Sequence, residues 1–137
     1  MEILVPIDGT DCSERALEFA VTFANRFDAG IHVVHFSDRK TDATETILSR
    51  AGDALVAAGF DDDPELLERG SGVRDANEIG KAILELVAEH GYDHVVMGHE
   101  TQGTVGRAIL GSAAETVVRA EQVPVTVVPA GDDTADG

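Results

Sequence analysis

Tryptophan is absent from the 137 residues, and tyrosine and cysteine occur once each. The lone Cys12 excludes an internal disulfide framework and any multi-cysteine zinc site. Basic residues are scarce, ten Lys and Arg against 26 Asp and Glu, for a net charge of −16. A field of that sign repels phosphate backbones and anionic headgroups, which argues against nucleic acid and membrane surfaces as partners. Basic runs and base-stacking aromatic clusters are also missing. No apolar run approaches the roughly 18 residues of a membrane helix. Met1-Glu2 leads into the short apolar run Ile3 to Ile7 and then Asp8, without the basic region or cleavage pattern of a signal peptide, so the expected location is the cytoplasm.

What is present suits one domain with a substantial core: hydrophobic residues make up 43% of the chain, and domains cluster near ~100–150 residues. The acidity does not read as disorder, because Ile, Val and Leu fall in compact periodic blocks between turn signals. An Asp-rich, Lys-poor surface is instead what concentrated salt favours. The domain is expected over residues 1–130, and the polar tail 131–137 is expected to be disordered.

Ile3-Leu4-Val5-Pro6-Ile7, Ile31 to Phe36 and His94 to Met97 are nearly unbroken apolar blocks, as parallel strands covered on both faces are. Val123 to Val128 is a fourth block. Its Pro124 cannot donate to a ladder, which places it at a sheet edge or a strand start. Glu65-Leu66-Leu67-Glu68 fills the gap that the alternation leaves for a third strand in chain order. Between the blocks, Asp11 to Glu14, Asp42 to Glu45, Asp75 to Glu78 and Ser112 to Glu115 each pair a capping residue with a glutamate three places on. Apolar stripes follow at helical spacing, and Gly30, Gly59 and Gly91 stand where the first three helices end. The result is strand-helix alternation, hence an α/β parallel sheet with helices on both faces.

In such a sheet, ligands bind outside the carboxyl ends of the strands where the strand order reverses. Two loops there are informative: Pro6-Ile7-Asp8-Gly9-Thr10, and the stretch from Met97-Gly98 to Gly111-Ser112. A helix opening at Ser112 would turn free N–H groups and a positive dipole end toward an anion such as a phosphate. The same residues also make an ordinary structural cap, and neither a Walker loop nor a GxGxxG fingerprint is present. His32 and His35, three apart in a strand, face opposite sides and are poor joint ligands. His99 and Glu100 have no second cluster at metal-ligand spacing, so no metal site is expected. Cys12 near a helix start reads as a small half-buried spacer.

The opening ILVPIDGTDCSERAL, the second-strand HVVHF, and YDHVVMG followed by GRAILGSAAETVVRAEQVPVTVV resemble the universal stress protein family over nearly the whole chain. The resemblance implies a five-stranded parallel sheet of order 3-2-1-4-5, a Rossmann-like fold that sets the Asp8 and Gly98 loops side by side. It implies ATP or a related adenine nucleotide, alone or with Mg2+, as the ligand, and a regulatory or protective homodimer paired through Val123 to Val128. ATP-binding members carry Gly, two residues, Gly, nine residues, Gly, then Ser or Thr. Gly98, Gly111 and Ser112 match, whereas position 101 is threonine. A Cβ there crowds the phosphate path, and a positive φ is costly for a β-branched residue.

Carried over position by position, the resemblance puts Asp8 on the adenosine part beside Pro6 and Ile7, and Phe36 near the base. It puts Gly98, next to Met97, with Gly111, Ser112 and Ala113 on ribose and phosphates, Thr101 in the phosphate loop, and Arg107 facing a phosphate. No nucleophile-base pair is evident, so an enzyme is not expected beyond slow ATP hydrolysis at most. The alternative is a dimeric interaction module that binds no nucleotide. A response-regulator-like reading of Asp8 and Asp11 wants a lysine at the end of the last strand, where Val128-Pro129 stands. The acidic surface further predicts a melting temperature that climbs between ~0.1 M and ~1 M KCl as the Debye length shrinks from ~10 to ~3 Å. Complete folding in dilute buffer would overturn the salt adaptation.

Overall fold

The computed structural model describes residues 1–37, 40–68, 76–98 and 112–129, with the backbone alone at 68, 76, 77 and 112. Along it run β1 (Glu2–Pro6), α1 (Asp11–Phe27), β2 (Gly30–Ser37), α2 (Asp42–Ala57), β3 (Glu65–Glu68), α3 (Ala76–His90), β4 (His94–Gly98), α4 (Ser112–Ala120) and β5 (Val125–Val128). The strands form one parallel sheet in the order β3-β2-β1-β4-β5. This is the expected architecture.

Alternation along the strands divides the core in two. Ile3, Val5, Ile31, Val33 and Val96 face Ala16, Leu17, Ala20 and Leu55 of α1 and α2. Leu4, Val34, Val95 and Met97 face Ile83, Val87, Ala114 and Val117 of α3 and α4. Each strand residue that leaves one layer enters the other, so the central strands need apolar residues at every position. On the second face α3 and α4 cross closely at Gly80, where an added Cβ would lie 2.7 Å from the Thr116 Cβ.

Two helix starts differ from the sequence reading by one residue, and Asp75, expected to cap α3, lies outside the described residues. The N-cap of α1 is Thr10, not Asp11, and that of α2 is Thr41, whose hydroxyl accepts from the Thr44 N–H while its own N–H donates to the Thr44 hydroxyl rather than to Glu45. Hydroxyls sat directly before the expected aspartates, and a threonine cap leaves the aspartate in the first turn, where the helix dipole favours it. Gly59 and Gly91 take positive φ past their helices as expected, but Gly30 does not cap α1. Asp28 does so in the left-handed conformation, and Gly30 opens β2 with its Cα against the Glu2 carboxylate. Pro124 precedes the last strand at the sheet edge, and its carbonyl accepts from the Val95 N–H. The other edge, β3, is short and acidic: Asp61, Asp62, Asp63 and Pro64 lead into Glu65, and Glu68 ends it.

Asp62 supports the sheet where β3 has not yet begun. Its Oδ2 accepts the Val33 N–H at 3.1 Å, and its Oδ1 lies 2.7 Å from His32 Nδ1. The second ring nitrogen of His32 lies 3.0 Å from Glu65 Oε1, and the ring stacks nearly parallel to Tyr92. Carboxylates accept and do not donate, so both nitrogens hold protons and the ring is an imidazolium. The Asp62 hydrogen bond, opposed by burial and reinforced by Glu65, lifts the His32 pKa to about 9. His94 moves the other way: burial under Phe23, with its Nε2 at 2.7 Å from Thr126 Oγ1, lowers its pKa.

A histidine with a raised folded pKa stabilises fully below its unfolded value and loses that contribution as pH rises through the folded one. His32 therefore adds stability below pH 6.5 that disappears as pH passes 9. Replacing it, as in His32→Gln, is expected to flatten the decline in urea-unfolding stability across this window. An unchanged slope would mean that the ring is neutral.

Candidate functional site

At the carboxyl end of the sheet, β1 continues its ladder through Ile7 N–H to Val34 O at 2.8 Å and then turns into α1. The turn is held by a closed set of short-range bonds. Asp8 Oδ1 accepts from Thr10 N–H at 3.0 Å and from Thr10 Oγ1 at 2.6 Å. Thr10 Oγ1 caps Ser13 N–H, and Ser13 Oγ accepts from Asp8 N–H while donating to Thr10 O. Gly9, at φ +85, supplies the left-handed step between them. Asp8 itself is exposed, with its carboxylate at the rim.

Below the turn, the buried His35 Nδ1 lies 2.8 Å from Ile7 O. A carbonyl only accepts, so Nδ1 carries the proton and the tautomer is fixed. This bond anchors the loop to β2 and leaves the neighbouring Phe36 on the α3 face.

On the other side, β4 ends at Gly98 against the first turn of α1. A Cβ on Gly98 would lie 2.7 Å from the Cys12 carbonyl carbon and 2.8 Å from its oxygen. Both contacts are with backbone, which has little room to give.

Between these parts lies a cavity of about 110 Å³. Pro6, Ile7 and Asp8 form one wall, Met97 and Gly98 another, with Phe36 and Ala113 beside them. All seven were singled out in the sequence, and the fold brings them together at the crevice between β1 and β4, where the strand order reverses. The β1–α1 turn contributes Asp8, Thr10 and Ser13 to its lining, and apolar residues come from the strand ends, α3 and α4. Thr101, Arg107 and Gly111 lie outside the described residues, as do His99, Glu100 and the Ser112 side chain; the backbone of α4 does begin at Ser112.

Several contributors lie outside the site residues expected from the sequence. Thr10 and Ser13 set the turn, and their spacing, a hydroxyl residue with another three places on, was the available signal. Ile79 and Ile83 line the cavity from α3, where their helical spacing marks them only as core. His35 acts from beneath the loop, and nothing in the sequence gives its partner. Cys12 is buried rather than half-buried and lines the cavity as well. Among the described residues no group of three His, Cys, Asp or Glu side chains is placed to hold a metal ion. No described helix is long and apolar enough to cross a membrane.

A crevice at the reversal point of an open parallel sheet, lined by strand ends and helix starts, marks a doubly wound α/β protein, a class whose ligands generally bind at that point. Residues 1–129 match the family model described as the universal stress protein family. The chain is 32% identical to a putative universal stress protein of Staphylococcus haemolyticus, over 92% of this chain and 82% of that one. It is 31% identical to a universal stress protein of Thermus aquaticus, over 92% and 96%. A universal stress protein solved in complex with cAMP superposes with a TM-score of 0.75 at 25% identity, covering 96% of this chain and 98% of the other. One from Archaeoglobus fulgidus in complex with dAMP gives 0.70 at 25% identity, over 93% and 97%. The chain belongs to the universal stress protein family.

Gly98 has a structural duty whatever the cavity holds. Gly98→Ala is expected to cost about 1–3 kcal/mol in denaturant unfolding, as overpacking does. Unchanged stability would show that the first turn of α1 moves aside freely.

Proposed function

We propose that the cavity between β1 and β4 binds an adenine nucleotide, and that the protein acts as a regulatory or protective homodimer. The observation that carries this reading is the convergence of Pro6, Ile7, Asp8, Phe36, Met97, Gly98 and Ala113 on one cavity. Phe36, Ile79, Ile83 and Met97 make an apolar slot suited to a base, with an aromatic edge for stacking. Asp8 stands at the rim, and both Thr10 bonds fall on Oδ1, which leaves Oδ2 as the acceptor for a ribose hydroxyl. Gly98 and the start of α4 offer backbone to the sugar and phosphates, with Ser112 and Arg107 as the phosphate contacts. The family members solved with cAMP and dAMP support an adenine ligand.

ATP, with Mg2+ held mainly by its phosphates, is the fuller form of the proposal. Thr101 decides how far along the phosphates binding extends, because it stands where ATP-binding members have glycine. For the dimer, the support is β5 at the sheet edge: Val125, Thr126 and Val127 are half-buried and uncharged. Beside that edge, α1 carries the aromatic stripe Phe19, Phe23 and Phe27, and Arg15 Nε donates to Pro129 O at its end.

Two observations favour the second reading, a dimeric interaction module without nucleotide. The Asp8 carboxylate already has local partners in Thr10, and Gly98 is required by its contact with Cys12 alone.

Calorimetric titration with AMP, and with ATP plus Mg2+, separates the two. Binding is expected with AMP, weakened about tenfold by Asp8→Ala, which corresponds to ~1.4 kcal/mol. Thr101→Gly is expected to favour ATP over AMP relative to the parent chain. If neither nucleotide gives heat and the native protein carries none through purification, the interaction module stands instead.

A further inference from the structure

A hollow larger than the proposed nucleotide cavity lies in a groove between α1 and α2, on the other face of the sheet from α3 and α4. Its volume is about 460 Å³, within the ~300–1,000 Å³ of small-molecule sites. Leu17 and Val21 of α1 form one wall, and Ile47, Ala51 and Ala54 of α2 the other. The groove persists because α2 presents alanine at two successive positions facing α1, where longer side chains would close it.

The rim is polar and its charges are unevenly used. Arg50 of α2 reaches across to Glu14 of α1 at 3.4 Å, so the cation of the rim is already engaged. Glu18, one helical turn further along α1, is exposed and makes no ion pair among the described residues. An anionic ligand would meet two carboxylates and a neutralised arginine. A cation would meet an available carboxylate on a protein whose net charge of −16 already draws cations to its surface.

We propose that the α1–α2 groove is a second ligand site, for a small amphipathic amine whose apolar body lies against Leu17, Val21 and Ile47 and whose ammonium group meets Glu18. This site does not depend on the nucleotide reading. It adjoins the other cavity, since Ile7 and Ser13 line both. An occupant would therefore press on the β1–α1 turn that carries Asp8.

The test is methyl NMR of the full chain titrated with octylamine, and with octanoate as the matched anion. Saturable shifts at the Leu17, Val21 and Ile47 methyls are expected with octylamine. Octanoate should bind several-fold more weakly. Glu18→Gln should weaken octylamine by up to about fivefold, the ceiling for an exposed ion pair. Ala54 is exposed on the rim, so Ala54→Leu should fill the groove without unfolding the protein and abolish the shifts. Absence of saturable shifts, equal response to octanoate, or shifts confined to the exposed methyls of Val56 and Val118, which do not line the groove, would each overturn the assignment.

Discussion

The carboxyl end of β4 meets the first turn of α1 at Gly98, where no Cβ fits against the Cys12 backbone. This contact positions everything at that end of the sheet. It brings the start of α1 down over the gap between β1 and β4, so the β1–α1 turn has to complete its reversal within Ile7, Asp8, Gly9 and Thr10. A turn that tight cannot leave its polar groups to water alone. The Asp8, Thr10 and Ser13 side chains satisfy one another, while His35 holds the Ile7 carbonyl from below. Backbone proximity thus creates a need for hydrogen bonds, and meeting that need fixes the walls of a cavity.

The same economy explains why the residues of this site serve two purposes. Asp8 closes an Asx-type turn through one oxygen while standing at a rim, and Gly98 is both a steric necessity and a cavity wall. Residues such as Ile79, Ile83 and Met97 are core residues first, and the cavity is the place where core packing stops short. Stability and recognition are therefore coupled here, because loosening the turn would undo both.

Much of this fold could be read from the sequence because parallel strands under two helical layers demand uninterrupted apolar blocks, and Ile3 to Ile7 and His94 to Met97 have no other simple explanation. Even the weakly patterned Glu65 to Glu68 followed from the alternation. The caps were misplaced by one residue because Thr10-Asp11 and Thr41-Asp42 offer two good caps in succession, and only backbone geometry chooses between them. Gly30 was misread for a related reason: Asp28 tolerates the left-handed conformation, so the glycine serves a close approach to Glu2 instead. In the site, the strand-end residues were legible through position and resemblance. His35, Ile79 and Ile83 were not, because their roles depend on contacts between elements distant in sequence. The α1–α2 groove left no trace at all, since an alanine that leaves a hollow looks like any other helix former.

The two margins of the sheet are chemically unequal. On one side Asp61, Asp62 and Asp63 lead into Glu65 of the short strand β3, and Asp62 is turned inward onto the neighbouring strand. On the other, Val125 to Val128 carries no charge. Charged edges resist strand addition, whereas an uncharged apolar edge accepts it. A filament built by sheet continuation needs two receptive margins per molecule, and among the described residues only β5 offers one. Association through β5 would therefore consume that edge on both copies and terminate at a pair, with the acidity of β3 serving as a stop on polymer growth.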